Sequence, residues 1–187
     1  MSKRPLRPGR AVHSLVVAVV FALCGASASL AQESAPQSSR EKVEAVARRI
    51  MSAARFCSLV TIGGDGAAQA RIVDPTEPDA SLTIYVATNP RSRKVAEIKK
   101  DPRVTLLYFD TVRLAYVTVI GRASEVSGSE KGGHYKKEWD GFFARDNPDT
   151  YTLYRIIPSR IEVVSAQDGL AGDTATWRPE ILELKPR

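Results

Sequence analysis

Apolar residues recur at Val43, Val46, Ala47, Ile50 and Ala54, while Glu44, Arg48 and Arg49 fall off that stripe. Spacings of three and four put the apolar set on one side of a helix. Ser38, with Glu41 three residues on, forms a candidate capping box at its start. Downstream the period shortens. Phe56 to Ile62 and Ala67 to Val73 flank Gly63-Gly64-Asp65-Gly66, the pattern of a β-hairpin. After the turn-prone Asp74-Pro75 and Glu77-Pro78, Leu82, Ile84 and Val86 alternate with Thr83, Tyr85 and Ala87, as in a strand with two different faces.

Further strands are predicted over Val104 to Phe109 and Leu114 to Ala123, joined by the tight Asp110 to Arg113 link. Tyr151 to Ile157 and Ile161 to Val164 flank Pro158-Ser159 and read as two more, and a last strand carries Trp177 or begins past it at Ile181 to Leu184. Between the third and fourth strands, Asn89 is a good N-cap and Pro90 a good first helical residue, so a short helix starts there and stops at Asp101-Pro102. Six or seven strands with short helices predict a mainly β protein, an antiparallel barrel whose closure removes exposed edges.

Composition changes the picture at the N-terminus. Lys3, Arg4, Arg7 and Arg10 precede an apolar run from Leu15 to Leu23, and Ser29-Leu30-Ala31 supplies small residues at the positions a signal peptidase inspects. Residues 1–31 are therefore expected to be a secretory signal peptide, residues 32–40 a flexible linker, and residues 41–187 a single domain, periplasmic or secreted. Of 27 basic residues against 21 acidic, four lie in that signal, so the remainder is nearly balanced and carries no nucleic-acid footprint. Past residue 31, Cys57 and His134 are too far apart to begin a zinc site, and one cysteine makes no internal disulfide. Beside Phe56 and Leu59, Cys57 reads as a buried strand residue.

The most informative stretch chemically is the strand end feeding the short helix. A helix N-terminus offers unpaired N–H groups and a partial positive charge. Thr88 and Ser92 add hydroxyls, and Arg93 and Lys94 add cations in the first turn, where they oppose the helix dipole unless an anion is bound. Spacing alone leaves open that Arg91, Arg93 and Lys94 are a solvated charged face. The later aromatics Tyr135, Trp139, Phe142 and Phe143, with His134, either cover a ligand or anchor a helix, and Trp177 either stacks on a ligand or closes the barrel.

The run Ala87-Thr88-Asn89-Pro90-Arg91-Ser92-Arg93-Lys94 resembles the FMN-phosphate signature of the pyridoxamine 5′-phosphate oxidase-like superfamily of FMN-binding split barrels. Ala70-Arg71-Ile72-Val73, Asp101-Pro102-Arg103-Val104 and Val117 to Gly121 resemble its neighbouring strands, and Tyr154 to Glu162 resembles the late hairpin of the general stress protein branch. The resemblance implies an antiparallel split β-barrel, FMN as cofactor with deazaflavin or haem as alternatives, and a homodimer with sites between subunits. It assigns cofactor contacts to Arg71, Ile72, Val73, Thr88, Ser92, Arg93 and Lys94, and to Tyr116 where the oxidase keeps a glutamine. Thr76 stands where the oxidase keeps a lysine, and its C-terminal Arg-x-His element is missing, so pyridoxamine phosphate oxidation is not expected. The expected function is a flavin-dependent oxidoreductase of a small molecule; the alternatives are a cofactor-holding stress module without turnover, or a flavin-free dimeric interaction protein.

Overall fold

The computed structural model describes residues 27–185. Helix α1 spans Ser27–Ala54, followed by strands β1 (Cys57–Ile62), β2 (Ala68–Val73) and β3 (Ile84–Thr88), helix α2 (Arg93–Lys100), and strands β4 (Arg103–Asp110) and β5 (Ala115–Val126). The short helix α3 (Glu130–Gly133), strand β6 (Thr152–Val164) and strand β7 (Glu180–Glu183) complete the order. Two compact units divide at Glu41/Lys42. Most of the expected signal peptide lies outside the described residues. Residues 32–40, expected as a linker, lie within α1, so Ser38 is an interior helical residue and not its cap. Ala31, Gln32, Glu33 and Gln37 are good helix formers and let the helix run upstream. Among the described residues no helix is long and apolar enough to cross a membrane.

In the second unit the sheet is antiparallel throughout, in the order β2-β1-β4-β5-β6-β3, with β7 also paired to β6. It curls as a split barrel around a core that includes Leu59, Leu106, Val117, Val119, Ile156 and Ile161. The C-terminal half of α1 buries Val43, Val46, Ala47, Ile50 and Met51 against that core, the predicted stripe with Met51 added and Ala54 only partly buried. Arg48 pins the chain before β3, donating to the carbonyls of Pro78 (3.2 Å), Asp79 (2.8 Å) and Ala80 (3.1 Å).

The two strands expected around Pro158-Ser159 are one long strand. Register slips between Ile120 and Gly121, so that Gly121 faces Pro158 and Arg160 faces Ile120, leaving Ser159 as the extra residue of a bulge. Proline is tolerated there because the bulge requires no ladder N–H from it. The bend lets β6 pair with β3 through its first half and with β7 through its second. Gly121 is required at the crossing: a Cβ there would lie 2.4 Å from the Ile157 carbonyl oxygen. Gly121→Ala is accordingly expected to lower stability by about 1–3 kcal/mol, read as a reduced midpoint with unchanged slope in urea unfolding.

Alternation gives the sheet two faces. Inward side chains form the core, while one outward row runs in register through Ile72, Ser58, Leu107, Thr118, Glu162 and Ile181. Ile72, Leu107 and Ile181 are exposed, as is Phe109 in the adjacent row with Tyr116 and Val164.

Candidate functional site

Strand β3 ends at Thr88, and the chain turns through Asn89 into α2. Asn89 Oδ1 accepts from the Arg91 N–H (2.8 Å), and the Ser92 N–H donates to the Asn89 carbonyl (2.9 Å). This turn brings three predicted residues together. Lys94 Nζ donates to Thr88 Oγ1 (2.8 Å) and to Ser92 Oγ (3.3 Å), and the two hydroxyls are 3.2 Å apart. Burial, with Arg71 nearby, holds the Lys94 ammonium below the usual lysine range against the opposing pull of Glu97.

The two predicted arginines meet at a carboxylate that the sequence reading did not single out. Glu97 is 5% exposed. Its Oε2 accepts from Thr61 Oγ1 (2.6 Å) and Arg71 (2.7 Å), and its Oε1 pairs with Arg93 Nε (2.8 Å). Arg71 also donates to Thr61 Oγ1, and Arg93 to Gln69 Oε1 (2.9 Å). Burial alone would raise the Glu97 carboxyl. The hydrogen bonds from Thr61 and Arg71 and the charges of Arg71 and Arg93 outweigh it, and the group lies below its ordinary value. The signal available in sequence was the i, i+4 relation of Arg93 to Glu97; the burial was not.

Beside this cluster opens a cavity of about 610 Å³, lined by Thr88, Asn89 and Lys94 of the turn, by Ile72, Val73 and Ala87 of the strands, and by the charged Arg55, Asp74 and Glu138. The segment between β5 and β6 contributes Trp139, Phe142 and Phe143 to the lining. That segment is fastened to the end of β2: Trp139 Nε1 donates to the Asp74 carbonyl (2.9 Å), and Lys136 Nζ to Asp74 Oδ1 (2.5 Å) and the Pro75 carbonyl (2.9 Å). Trp139 is buried in an aromatic cluster with Tyr85, Tyr135 and Tyr151 and also lines the cavity. His134 stacks on Tyr85 with centroids 3.7 Å apart and does not line the cavity.

The remaining residues fall elsewhere. Tyr116 is half-buried on the outward sheet face and is not among the cavity-lining residues. Thr76 ties its loop to β3, its hydroxyl accepting from the Tyr85 N–H (3.0 Å). Cys57 is buried in the core and its thiol is pushed up to about 12, chiefly by burial. Trp177 closes nothing: it is 85% exposed, ahead of β7.

A family profile described as pyridoxamine 5′-phosphate oxidase matches residues 43–165, more than half of the chain. The chain belongs to the pyridoxamine 5′-phosphate oxidase family. Its matched span includes all eight predicted contact residues and the whole Thr88-Ser92-Lys94 cluster. No curated protein matches it in sequence. Among solved structures, General Stress Protein 26 of Bacillus anthracis is 24% identical over 78% of this chain and 98% of that one, with a TM-score of 0.59. A pyridoxamine 5′-phosphate oxidase-related, FMN binding protein of Nostoc punctiforme is 11% identical over 75% and 92%, at 0.54. A heme binding protein of Mycobacterium smegmatis is 17% identical over 73% of this chain and 56% of that one, at 0.56. At these identities the likeness to the solved structures is one of fold, and it agrees with the antiparallel barrel expected from the strand pattern and with the split form that the resemblance implies.

Because Glu97 is held below its ordinary 4.5, the stability it contributes is present above pH 4.5 and is lost as pH falls through the folded value. Glu97→Gln should cost about 1–3 kcal/mol at neutral pH and flatten this part of the acid limb in denaturation followed from pH 7 downward. An unchanged acid limb would mean that the carboxylate is not ionised in the fold.

Proposed function

We propose that the protein binds FMN in the cavity walled by Trp139 and acts as a flavin-dependent oxidoreductase on a small molecule, as a homodimer exported from the cytoplasm. The observation that carries this reading is Lys94, a partly buried ammonium donating to the Thr88 and Ser92 hydroxyls beside a largely apolar cavity. A cation on hydroxyls and aromatic side chains in one lining suit a flat ring system with an anionic tail. Charge supports a phosphate monoester. Arg71, Arg93 and Lys94 gather around the one Glu97 carboxylate, a local excess of two positive charges beside the cavity, for a group that carries about −1.5 to −2 near pH 7; in the rest of the lining Arg55 stands with the carboxylates of Asp74 and Glu138.

Bound FMN would supply the hydride chemistry. The chain's own residues would hold the phosphate at Lys94 and offer the ring the apolar lining of Val73 and Trp139. Haem, which the Mycobacterium smegmatis neighbour binds, is a poorer fit: among the described residues no His, Cys, Met or Tyr lines this cavity to ligate the iron. Assembly as a dimer is supported by the outward sheet face with its exposed Ile72, Leu107, Phe109 and Ile181. Export is supported by the four basic residues ahead of the apolar run in the first 23 positions.

Calorimetric titration of the full-length protein with FMN and with riboflavin, which lacks the phosphate, tests the site. FMN should bind at least about tenfold more tightly. Lys94→Ala should erase that difference while leaving riboflavin binding unchanged, and equal affinities in the native protein would remove the phosphate from this place. As pH falls below about 6 the phosphate takes up a proton, so FMN affinity should drop and riboflavin affinity should not. Turnover is read separately, as reduction of the bound flavin by a nicotinamide cofactor followed by reoxidation by an added acceptor. Flavin that binds and never reduces would leave a cofactor-holding module.

A further inference from the structure

The outward sheet face carries a second cavity. Alternation along β1, β4 and β5 turns Val60, Ile62, Thr105 and Ile120 outward and half-buried, and Arg103 and Arg122 outward and exposed. The ladder sets Val60, Thr105, Ile120 and Arg160 in one row and Arg103, Arg122 and Ile157 in the next. Beside the β6 bulge at Ser159, the two arginines and the four half-buried residues line a cavity of about 380 Å³. It lies near the small end of the range for ligand pockets, about 300–1,000 Å³. No lining residue is shared with the cavity beside Lys94. Leu107 and Phe109 lie toward the end of β4, whereas Arg103 begins it.

Charge says what this cavity takes. Arg103 and Arg122 stand directly opposite each other across β4 and β5, a placement that destabilises a sheet when the charges are alike. The nearby carboxylate, Asp101, is taken by Arg103. Its Oδ1 accepts from Arg103 Nε (3.0 Å) and from the Arg103 N–H (3.1 Å), and its Oδ2 from Nε (3.1 Å) and the terminal nitrogen (2.5 Å). Those bonds hold the Asp101 carboxyl down to about 2. Arg122 feels Asp101 only as a more distant charge, and among the described residues its side chain forms no hydrogen bond or ion pair. Farther along the face Arg160 is paired with Glu162 (3.0 Å). The unanswered positive charge is therefore that of Arg122, at the rim of an apolar lining. A guanidinium in that state meets a carboxylate through two parallel N–H donors, and Val60, Ile62 and Ile120 offer an apolar body a surface to lie on. A second copy is a poor occupant, because about a two-fold axis through this point it would set its own arginine pair against this one.

We infer that this cavity is a second ligand site, for a small organic anion: a carboxylate carried on an aliphatic or aromatic body, its head on Arg122 and its body on Val60, Ile62 and Ile120. The site stands apart from the flavin reading and does not rest on it. The cross-strand arginine pair, unfavourable by itself, is relieved when the anion arrives.

Titration of the full-length protein with octanoate, kept below its micelle range, tests this by calorimetry. Octanoate should bind, octylammonium should not, and acetate, which lacks the tail, should bind at least about tenfold more weakly than octanoate. Arg122→Gln should keep the native melting temperature and weaken octanoate by at least about tenfold, while Arg122→Lys, which retains the charge, loses less. Thr105→Trp fills the cavity without altering a charge and should abolish octanoate binding. Addition of FMN should leave octanoate affinity unchanged. Octanoate displaced by FMN would be sitting in the cavity beside Lys94, and that result would overturn the inference. So would equal binding of octanoate and octylammonium, native octanoate affinity in Arg122→Gln, or no octanoate binding to the native protein. None of these last three outcomes touches the flavin reading, which stands or falls with FMN itself.

Discussion

A single buried carboxylate governs how the candidate site is put together. Glu97 is almost without solvent, and a carboxylate in that position is tolerable only if its charge and lone pairs are met. Thr61 on β1, Arg71 on β2 and Arg93 on α2 meet them. The same contacts lock α2 onto the two strands, so the turn between Thr88 and Ser92 is held at a fixed place relative to the end of β2. The electrostatics follow from the packing. Two arginines that would otherwise be free cations share one counter-charge, and Lys94, its ammonium lying on hydroxyls, lines the cavity.

The period of two along a strand divides the work of the sheet. Arg71 and Ile72 are neighbours in sequence, yet one points to Thr61 and Glu97 and the other to solvent. A slip of one residue between β1 and β2 would exchange them, placing a guanidinium on the apolar face and isoleucine beside the buried carboxylate. The inward pattern of β1, alternating buried and half-buried positions, specifies the register against that outcome.

Much of this architecture was legible in the chain. The apolar stripe from Val43, the hairpin around Gly63 to Gly66 and the alternation through Val86 are local patterns, and local patterns report local structure. What escaped was non-local. Pro158-Ser159 reads as a break until Gly121 is known to face it across the ladder, where a bulge absorbs it. Glu97 reads as an ordinary helix-surface charge until the fold brings Thr61 and Arg71 over it. The hydroxyl and cation cluster was legible because Thr88, Ser92 and Lys94 lie on consecutive turns of chain. The aromatic cavity wall was not, because Trp139 and Phe143 arrive from far along the sequence.

That distance has a kinetic side. Trp139 Nε1 and the Asp74 carbonyl are separated by 65 positions, and Lys136 and Asp74 by 62. Bringing such remote partners together costs loop-closure entropy that is recovered only once the intervening strands have paired. The contacts among Thr88, Ser92 and Lys94 span six positions at most and can take shape locally, whereas the aromatic wall waits for nearly the entire barrel. A nascent or partly unfolded chain would offer a place for an anion well before it could shelter a ring.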